Sequence, residues 1–243
     1  YGAQRVLAGE VPVRDFMSYD PGRYYWSAAL IGAMGDDGLT SLRIAAGVFG
    51  AVGLSLALLL LQKRRRIDPL LLALAAIALT AWMYPRHKLF DVTLSIGLIS
   101  VTALIIRNPR RTNFFIAGVV LGAVAVFGRN HGVYGVFGLM GGIAYLACLR
   151  VETIGSLLRN SMVLAGGVFV GYLPVISMIV FVPGFGRAFW AEIAFVVELG
   201  STNLPLPIPW PWLAPFDTEP PLIVARELMT GTLFIAVATL AVC

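Results

Sequence analysis

Residues 39–62 have the sequence LTSLRIAAGVFGAVGLSLALLLLQ, and no charged side chain follows Arg43 in this segment. An apolar run of about 18 residues or more can cross a bilayer as an α-helix, because each residue advances the helix by about 1.5 Å. The whole chain has this character, with 58% hydrophobic and 13% charged residues. Soluble domains carry about 25% charged residues. The sequence therefore predicts an integral membrane protein.

The other apolar segments predict the fold class, an all-α polytopic transmembrane helix bundle with about seven spans. Glycine is frequent in these segments, and small residues let helices approach closely in lipid. We expect the spans at residues 39–62, 68–84, 91–107, 114–128, 132–149, 162–182 and 223–243.

Four regions follow from these spans. A first outer loop with interfacial helices occupies 1–38, and the transmembrane bundle occupies 39–182. A loop at 183–222 holds eight prolines, which predict extended backbone because proline lacks the N–H that a helix needs. The last helix, at 223–243, is expected to be truncated. Since the chain begins at Tyr1 and stops within an apolar run, we expect an internal piece of a longer protein.

The basic residues predict the orientation. Short loops rich in Lys and Arg stay in the cytoplasm. Nine basic residues lie in three alternate loops, namely Lys63, Arg64, Arg65, Arg66, Arg107, Arg110, Arg111, Arg150 and Arg159. Among the acidic residues, only Asp68 and Glu152 then fall on the inner side. The net charge of +5 is explained by topology, so we expect no nucleic-acid partner.

The first outer loop carries two candidate catalytic carboxylates, Asp15 and Asp20. Asp15 follows a short helical pattern that Gly9 ends, and Asp20-Pro21-Gly22 predicts a turn. A carboxylate can act as general base on an acceptor hydroxyl. The alternative is an ordinary solvated loop between helices.

Two basic clusters lie at predicted outer ends of spans, at 84–88 (YPRHK) and 127–132 (FGRNHG). Cationic side chains there suit a phosphate group. The alternatives are anchoring to lipid headgroups for the first cluster and a capped turn for the second. The candidate substrate-binding residues are Arg14, Arg23, Arg86, His87, Lys88, Arg129, Asn130 and His131.

Residues 1–25, YGAQRVLAGEVPVRDFMSYDPGRYY, resemble the first outer loop of GT-C glycosyltransferases. The resemblance is to the group with protein O-mannosyltransferases, the aminoarabinose transferase of lipid A and rhizobial core-oligosaccharide transferases. Residues 118–132 are similar to the place where those proteins carry a Lys-centred motif, so the family's basic residue falls at Arg129. The resemblance implies that Asp15 matches a second acidic position and that the principal carboxylate precedes Tyr1.

The resemblance implies inverting transfer of a sugar from a polyprenyl-phosphate donor to a glycan, lipid or protein acceptor. The expected location is the plasma (inner) membrane, with the active face outward. No cofactor is indicated with certainty, and a divalent metal stays open. Two alternatives stay open as well: a transporter or permease, which predicts mid-span charges that are scarce here, and a lipid-linked glycan polymerase or ligase.

Overall fold

The computed structural model describes residues 1–35, 38–62, 68–83, 89–199, 210–214, 216 and 219–242. All regular elements in these ranges are helical. The α-helices are α1 Gly2–Leu7, α2 Pro21–Met34, α3 Leu39–Gln62, α4 Pro69–Met83, α5 Leu89–Arg107, α6 Arg111–Phe127, α7 Arg129–Cys148, α8 Ile154–Phe181, α9 Phe185–Leu199 and α10 Pro221–Val242. The predicted all-α class is therefore confirmed.

The number of membrane spans can be compared only in part with the seven that the sequence predicted. Each predicted span overlaps one helix, from α3 to α8 and α10. Among the described residues, four helices are long and apolar enough to cross a membrane, namely α3, α5, α7 and α8. The apolar parts of α4 and α6 are shorter. These four helices indicate an integral membrane protein, and the count of about seven spans is not confirmed.

Two local predictions were wrong. Asp20-Pro21-Gly22 is not a turn but the beginning of α2, with Asp20 as N-cap and Pro21 in the first turn. Proline is favoured there because the first helical N–H groups have no partner within the helix. The region 183–222 is not extended throughout, because Phe185–Leu199 forms α9. No proline occurs between Pro183 and Pro205, so nothing interrupts this helix.

The core lies between α5, α6 and α7. Side chains on one face of α5, at helical spacing, meet apolar side chains of its neighbours. The buried members include Leu94, Leu98, Val101 and Ile105 of α5, Phe114, Ala117, Leu121 and Val124 of α6, Leu139 and Leu146 of α7, and Leu157 of α8. Outside this core, α3, α4, α7 and α8 expose large apolar side chains such as Leu59, Ile77, Phe137 and Phe169. Such surfaces suit a lipid environment.

Glycines bring α6 and α8 into backbone contact. A Cβ atom at Gly118 would overlap the carbonyl oxygen of Leu164, and one at Gly167 would overlap that of Phe115. The same holds for Gly122 against α8 and Gly171 against α6. The small residues let the helix axes approach, in keeping with the general role of glycine between helices in lipid.

The chain divides into two compact units, Tyr1–Glu192 and Ile193–Cys243. In the second unit, a 3-10 turn at Pro211–Leu213 packs against α10. The rings of Trp210 and Trp212 stack with centroids 4.9 Å apart. All candidate site residues lie in the first unit.

Candidate functional site

The turn between α6 and α7 brings three of the predicted site residues together, Asp20, Arg23 and Arg129. Gly128 alone separates Phe127, the last residue of α6, from Arg129, the first residue of α7. A Cβ atom at Gly128 would lie 3.1 Å from His131 Nδ1 and 3.3 Å from Arg23 Nη2. Glycine thus leaves room for both side chains beside the turn.

Asp20 of the first loop binds this turn. Its Oδ2 accepts a hydrogen bond of 2.9 Å from the backbone N–H of Arg129. Its Oδ1 lies 2.5 Å from Nε of the same arginine. Asp20 is only 8% exposed. The N-cap residue of α2 therefore uses its carboxylate on the N-terminus of another helix, α7, where backbone N–H groups favour negative charge.

Arg129 has a second carboxylate partner, Glu192 of α9. Nη2 of Arg129 donates a hydrogen bond of 2.6 Å to Oε2 of Glu192. The ring of Phe189 lies against the guanidinium, with 5.1 Å between Cζ and the ring centroid. Buried Phe185 and Phe189 and half-buried Glu192 are spaced at i, i+4 and i+7, so they share one face of α9.

Arg23 forms a parallel set of contacts on the other side of the turn. Its Nη2 donates to Oδ1 of Asp91 at 2.6 Å, and its Nε donates to the carbonyl oxygen of Phe127 at 2.7 Å. The last carbonyls of a helix have no partner within it, so Arg23 caps the end of α6. Its guanidinium also faces the rings of Tyr19 and Phe90.

Among the residues that the structure describes, five charged residues meet at this turn, and we call them the junction cluster: Asp20, Arg23, Asp91, Arg129 and Glu192. The cluster holds three carboxylates against two guanidinium groups. Both arginines have carboxylate partners, since Arg129 contacts two and Arg23 contacts one. As it stands, the cluster therefore presents no surplus positive charge to an anion.

Aromatic side chains support the junction cluster. The rings of Phe49, Phe90 and Phe127 pack against one another, and Trp26 packs on Phe49. Trp26 also donates from Nε1 to the carbonyl oxygen of Ala45, which ties α2 to α3. These contacts fix α2 across the ends of α3, α5 and α6.

An open apolar groove of about 360 Å³ lies beside the cluster, between α2, α6 and α8. It is lined by Pro21, Gly22, Tyr25, Trp26, Val126, Phe127, Pro174 and Met178. Pro21 follows Asp20 in sequence, so the groove begins next to the cluster. Its lining suits hydrocarbon.

Asp15 and Arg14 lie in the first loop and bind each other. Nη2 of Arg14 donates to Oδ2 of Asp15 at 2.7 Å, and the same oxygen accepts from the N–H of Val11 at 2.8 Å. Hydrogen bonds from Arg14 and then from Val11 lower the pKa of Asp15 from 3.8 to about 2. Arg14, its neighbour in the sequence, therefore favours the ionised form of Asp15. A pKa this low makes the carboxylate a weak base near neutral pH.

The remaining candidates take different places. His131 is half-buried, and its ring lies 6.0 Å from that of Tyr134. Asn130 is exposed in the first turn of α7. Arg86, His87 and Lys88 fall outside the described residues, so their predicted role stays a prediction. Within the part of the chain that the structure describes, no three His, Cys, Asp or Glu side chains group to hold a metal ion.

Sequence reasoning did not select two members of the junction cluster, Asp91 and Glu192. Glu192 carries a recognisable signal, because it continues the buried apolar stripe of Phe185 and Phe189 at helical spacing. A carboxylate on such a buried stripe requires a cationic partner. Asp91 lies in the first turn of α5, where a carboxylate commonly stabilises the positive end of the helix dipole. Its position in the sequence therefore did not indicate a site.

Comparisons of this chain with family models, curated proteins and solved structures found no match. The junction cluster is therefore interpreted from its own geometry.

Proposed function

We propose that this protein is a membrane glycosyltransferase that moves a sugar from a polyprenyl-phosphate donor to an acceptor hydroxyl on the outer face of the membrane. The observation that supports it is the contact of Asp20 with Arg129. A carboxylate of the first loop meets a basic residue of the second cluster at one end of apolar helices, beside a groove lined by apolar side chains.

In this proposal, Asp20 acts as the general base, chosen among the residues that the structure describes. A base must lie within hydrogen-bond distance of the acceptor hydroxyl. Oδ1 of Asp20 makes an ion pair with Arg129 but no hydrogen bond, so it retains a lone pair for a hydroxyl. Asp15 is less suited, because both of its oxygens already accept hydrogen bonds: Oδ1 from Arg14, and Oδ2 from Arg14 and Val11.

The donor phosphate is assigned to Arg86, His87 and Lys88, and the donor hydrocarbon to the apolar groove. The arginines of the junction cluster are neutralised by carboxylates, whereas a phosphate needs uncompensated donors. The groove lies beside Asp20, which keeps the lipid next to the reacting groups.

The test compares Asp20→Asn with Asp15→Asn in the complete protein. The two variants make the same change in the same loop, so Asp15→Asn is the matched control. We expect Asp20→Asn to lower sugar transfer from a polyprenyl-phosphate donor by about 10²–10⁴-fold, as loss of a general base does. Asp15→Asn should retain most of the turnover. Equal, near-normal turnover of both folded variants would remove Asp20 from the mechanism.

A further inference from the structure

Arg129 leaves one nitrogen without a partner. Nε faces Asp20 and Nη2 binds Glu192, whereas Nη1 is buried and has no hydrogen-bond partner among the described residues. Oδ1 of Asp20 is likewise buried without a hydrogen bond. Buried polar atoms almost always have such partners, so each exception needs an explanation. Here a guanidinium nitrogen and a carboxylate oxygen of one ion pair are each left without a hydrogen bond, although Oδ1 remains in contact with Nε.

The two atoms together select the kind of group that can bind between them. A hydroxyl has one O–H to donate and two lone pairs to accept. It can therefore donate to Oδ1 of Asp20 while it accepts from Nη1 of Arg129. A phosphate ester at neutral pH offers acceptors, and it would face the negative charges of both Asp20 and Glu192. Like charges at close range disfavour binding in a half-buried site.

We propose that Asp20 and Arg129 bind a hydroxyl group of a neutral sugar, and that Glu192 excludes anions from Arg129. This proposal rests on the proposed function and deepens it, because it assigns Arg129 to the sugar hydroxyl rather than to the donor phosphate. Glu192 becomes a specificity-determining residue. Glu192 accepts the hydrogen bond from Nη2 of Arg129, which a phosphate would otherwise accept.

The Phe189 ring packs on the proposed site. The Phe189 ring lies against the guanidinium, and Phe189 and Glu192 stand on the same face of α9. In this proposal, the ring shields the bound hydroxyl from water, which strengthens both hydrogen bonds.

The experiment uses the whole protein in lipid nanodiscs and two kinds of small probe, neutral methyl hexosides and methyl phosphate. Saturation-transfer NMR measures binding of a methyl hexoside panel (glucoside, mannoside and galactoside) and of methyl phosphate. We expect the wild type to bind at least one methyl hexoside, and Asp20→Asn to weaken that binding. If no hexoside binds, the proposal is overturned, and internal water is then the only hydrogen-bond partner of Nη1 and Oδ1.

Glu192→Gln tests the exclusion of anions. We expect it to bind methyl phosphate about tenfold more tightly than the wild type, the effect of one charge-assisted hydrogen bond. Adding Arg129→Gln should remove that gain, whereas Arg129→Gln alone should leave methyl phosphate binding unchanged. Glu198→Gln, an exposed position on the same helix, is the control and should change nothing.

The outcomes separate this proposal from the proposed function. If Glu192→Gln leaves methyl phosphate binding unchanged or weakens it, Glu192 only positions Arg129, and the exclusion of anions is wrong. Sugar transfer from a polyprenyl-phosphate donor is measured on the same wild-type sample. Transfer without the predicted probe behaviour would overturn the hydroxyl assignment alone. Hexoside binding without transfer from any such donor would overturn the proposed function alone.

Discussion

The carboxylate of Asp20 accepts a hydrogen bond of 2.9 Å from the backbone N–H of Arg129, 109 residues further along the chain. One side chain thereby closes the N-terminus of α7 and ties the first loop to the end of α6. The same carboxylate pairs with the Arg129 guanidinium. This bond makes Asp20 a structural residue as well as the proposed base.

Asp20→Ala should destabilise the protein, because it leaves the N–H and the guanidinium of Arg129 with fewer partners. Unsatisfied buried polar groups cost about 1–3 kcal/mol. We expect a lower thermal unfolding midpoint in detergent, with Asp20→Asn less affected. Asp15→Ala, in the exposed part of the same loop, should change the midpoint less. An unchanged midpoint for Asp20→Ala would show that the bond contributes little.

The α6–α8 contact predicts opposite outcomes for two adjacent glycines. Gly167→Ala places a methyl group on the backbone of α6, whereas a methyl group at Gly166 would meet no atom of the described residues within 4 Å. Overpacking of a close interface costs about 1–3 kcal/mol. Gly167→Ala should therefore unfold at lower temperature or denaturant concentration, and Gly166→Ala should match or exceed the wild type. Equal stability of the two variants would contradict the close packing.

The basic segment at 84–88 should bind the donor phosphate. Arg86→Ala and Lys88→Ala each remove a charge-assisted contact worth about 1.5–3 kcal/mol. We expect the KM for a polyprenyl-phosphate sugar to rise by about tenfold or more. Lys63→Ala, in a predicted inner loop, is the control and should leave KM unchanged. Unaltered donor kinetics in both variants would favour headgroup anchoring.

The orientation can be tested with single cysteines after Cys148 and Cys243 are replaced by serine. A cysteine at Asn203 should react with a membrane-impermeant maleimide on intact cells. A cysteine at Asn108, between the basic residues Arg107 and Arg110, should react only after permeabilisation. The reverse pattern would place the junction cluster on the cytoplasmic side and contradict the proposed outer-face reaction.

Asp15 predicts a dependence of stability on pH. Folding lowers its pKa from 3.8 to about 2, so the unfolded state binds the proton more tightly. Its contribution is therefore complete above about pH 5 and is lost as pH falls through about 4 towards 2. The difference in unfolding free energy between wild type and Asp15→Asn should shrink over this window. A difference that stays constant from pH 6 to pH 2 would contradict the hydrogen bonds of this carboxylate.

The sequence by itself determined the apolar helices and, to within about two residues, where they end, whereas several of them begin earlier than predicted. Charge-free runs such as 44–62 favour helix in lipid, where every backbone polar group needs a partner within the segment. The sequence did not indicate which of the glycine-rich helices pack together. It did not fix the number of spans, because length and hydropathy do not separate a crossing helix from a short buried one.

Only the tertiary structure decided which charges meet. Asp15 and Asp20 are equivalent in the sequence, yet Arg14 binds the first locally and Arg129 binds the second across the fold. Asp91 and Glu192 join the cluster because α5 and α9 bring them to the same turn. Pairing of charges depends on distances between helices, and those distances are set by side-chain packing. A helical stripe shows which face of α9 is buried, but not that Arg129 lies against it.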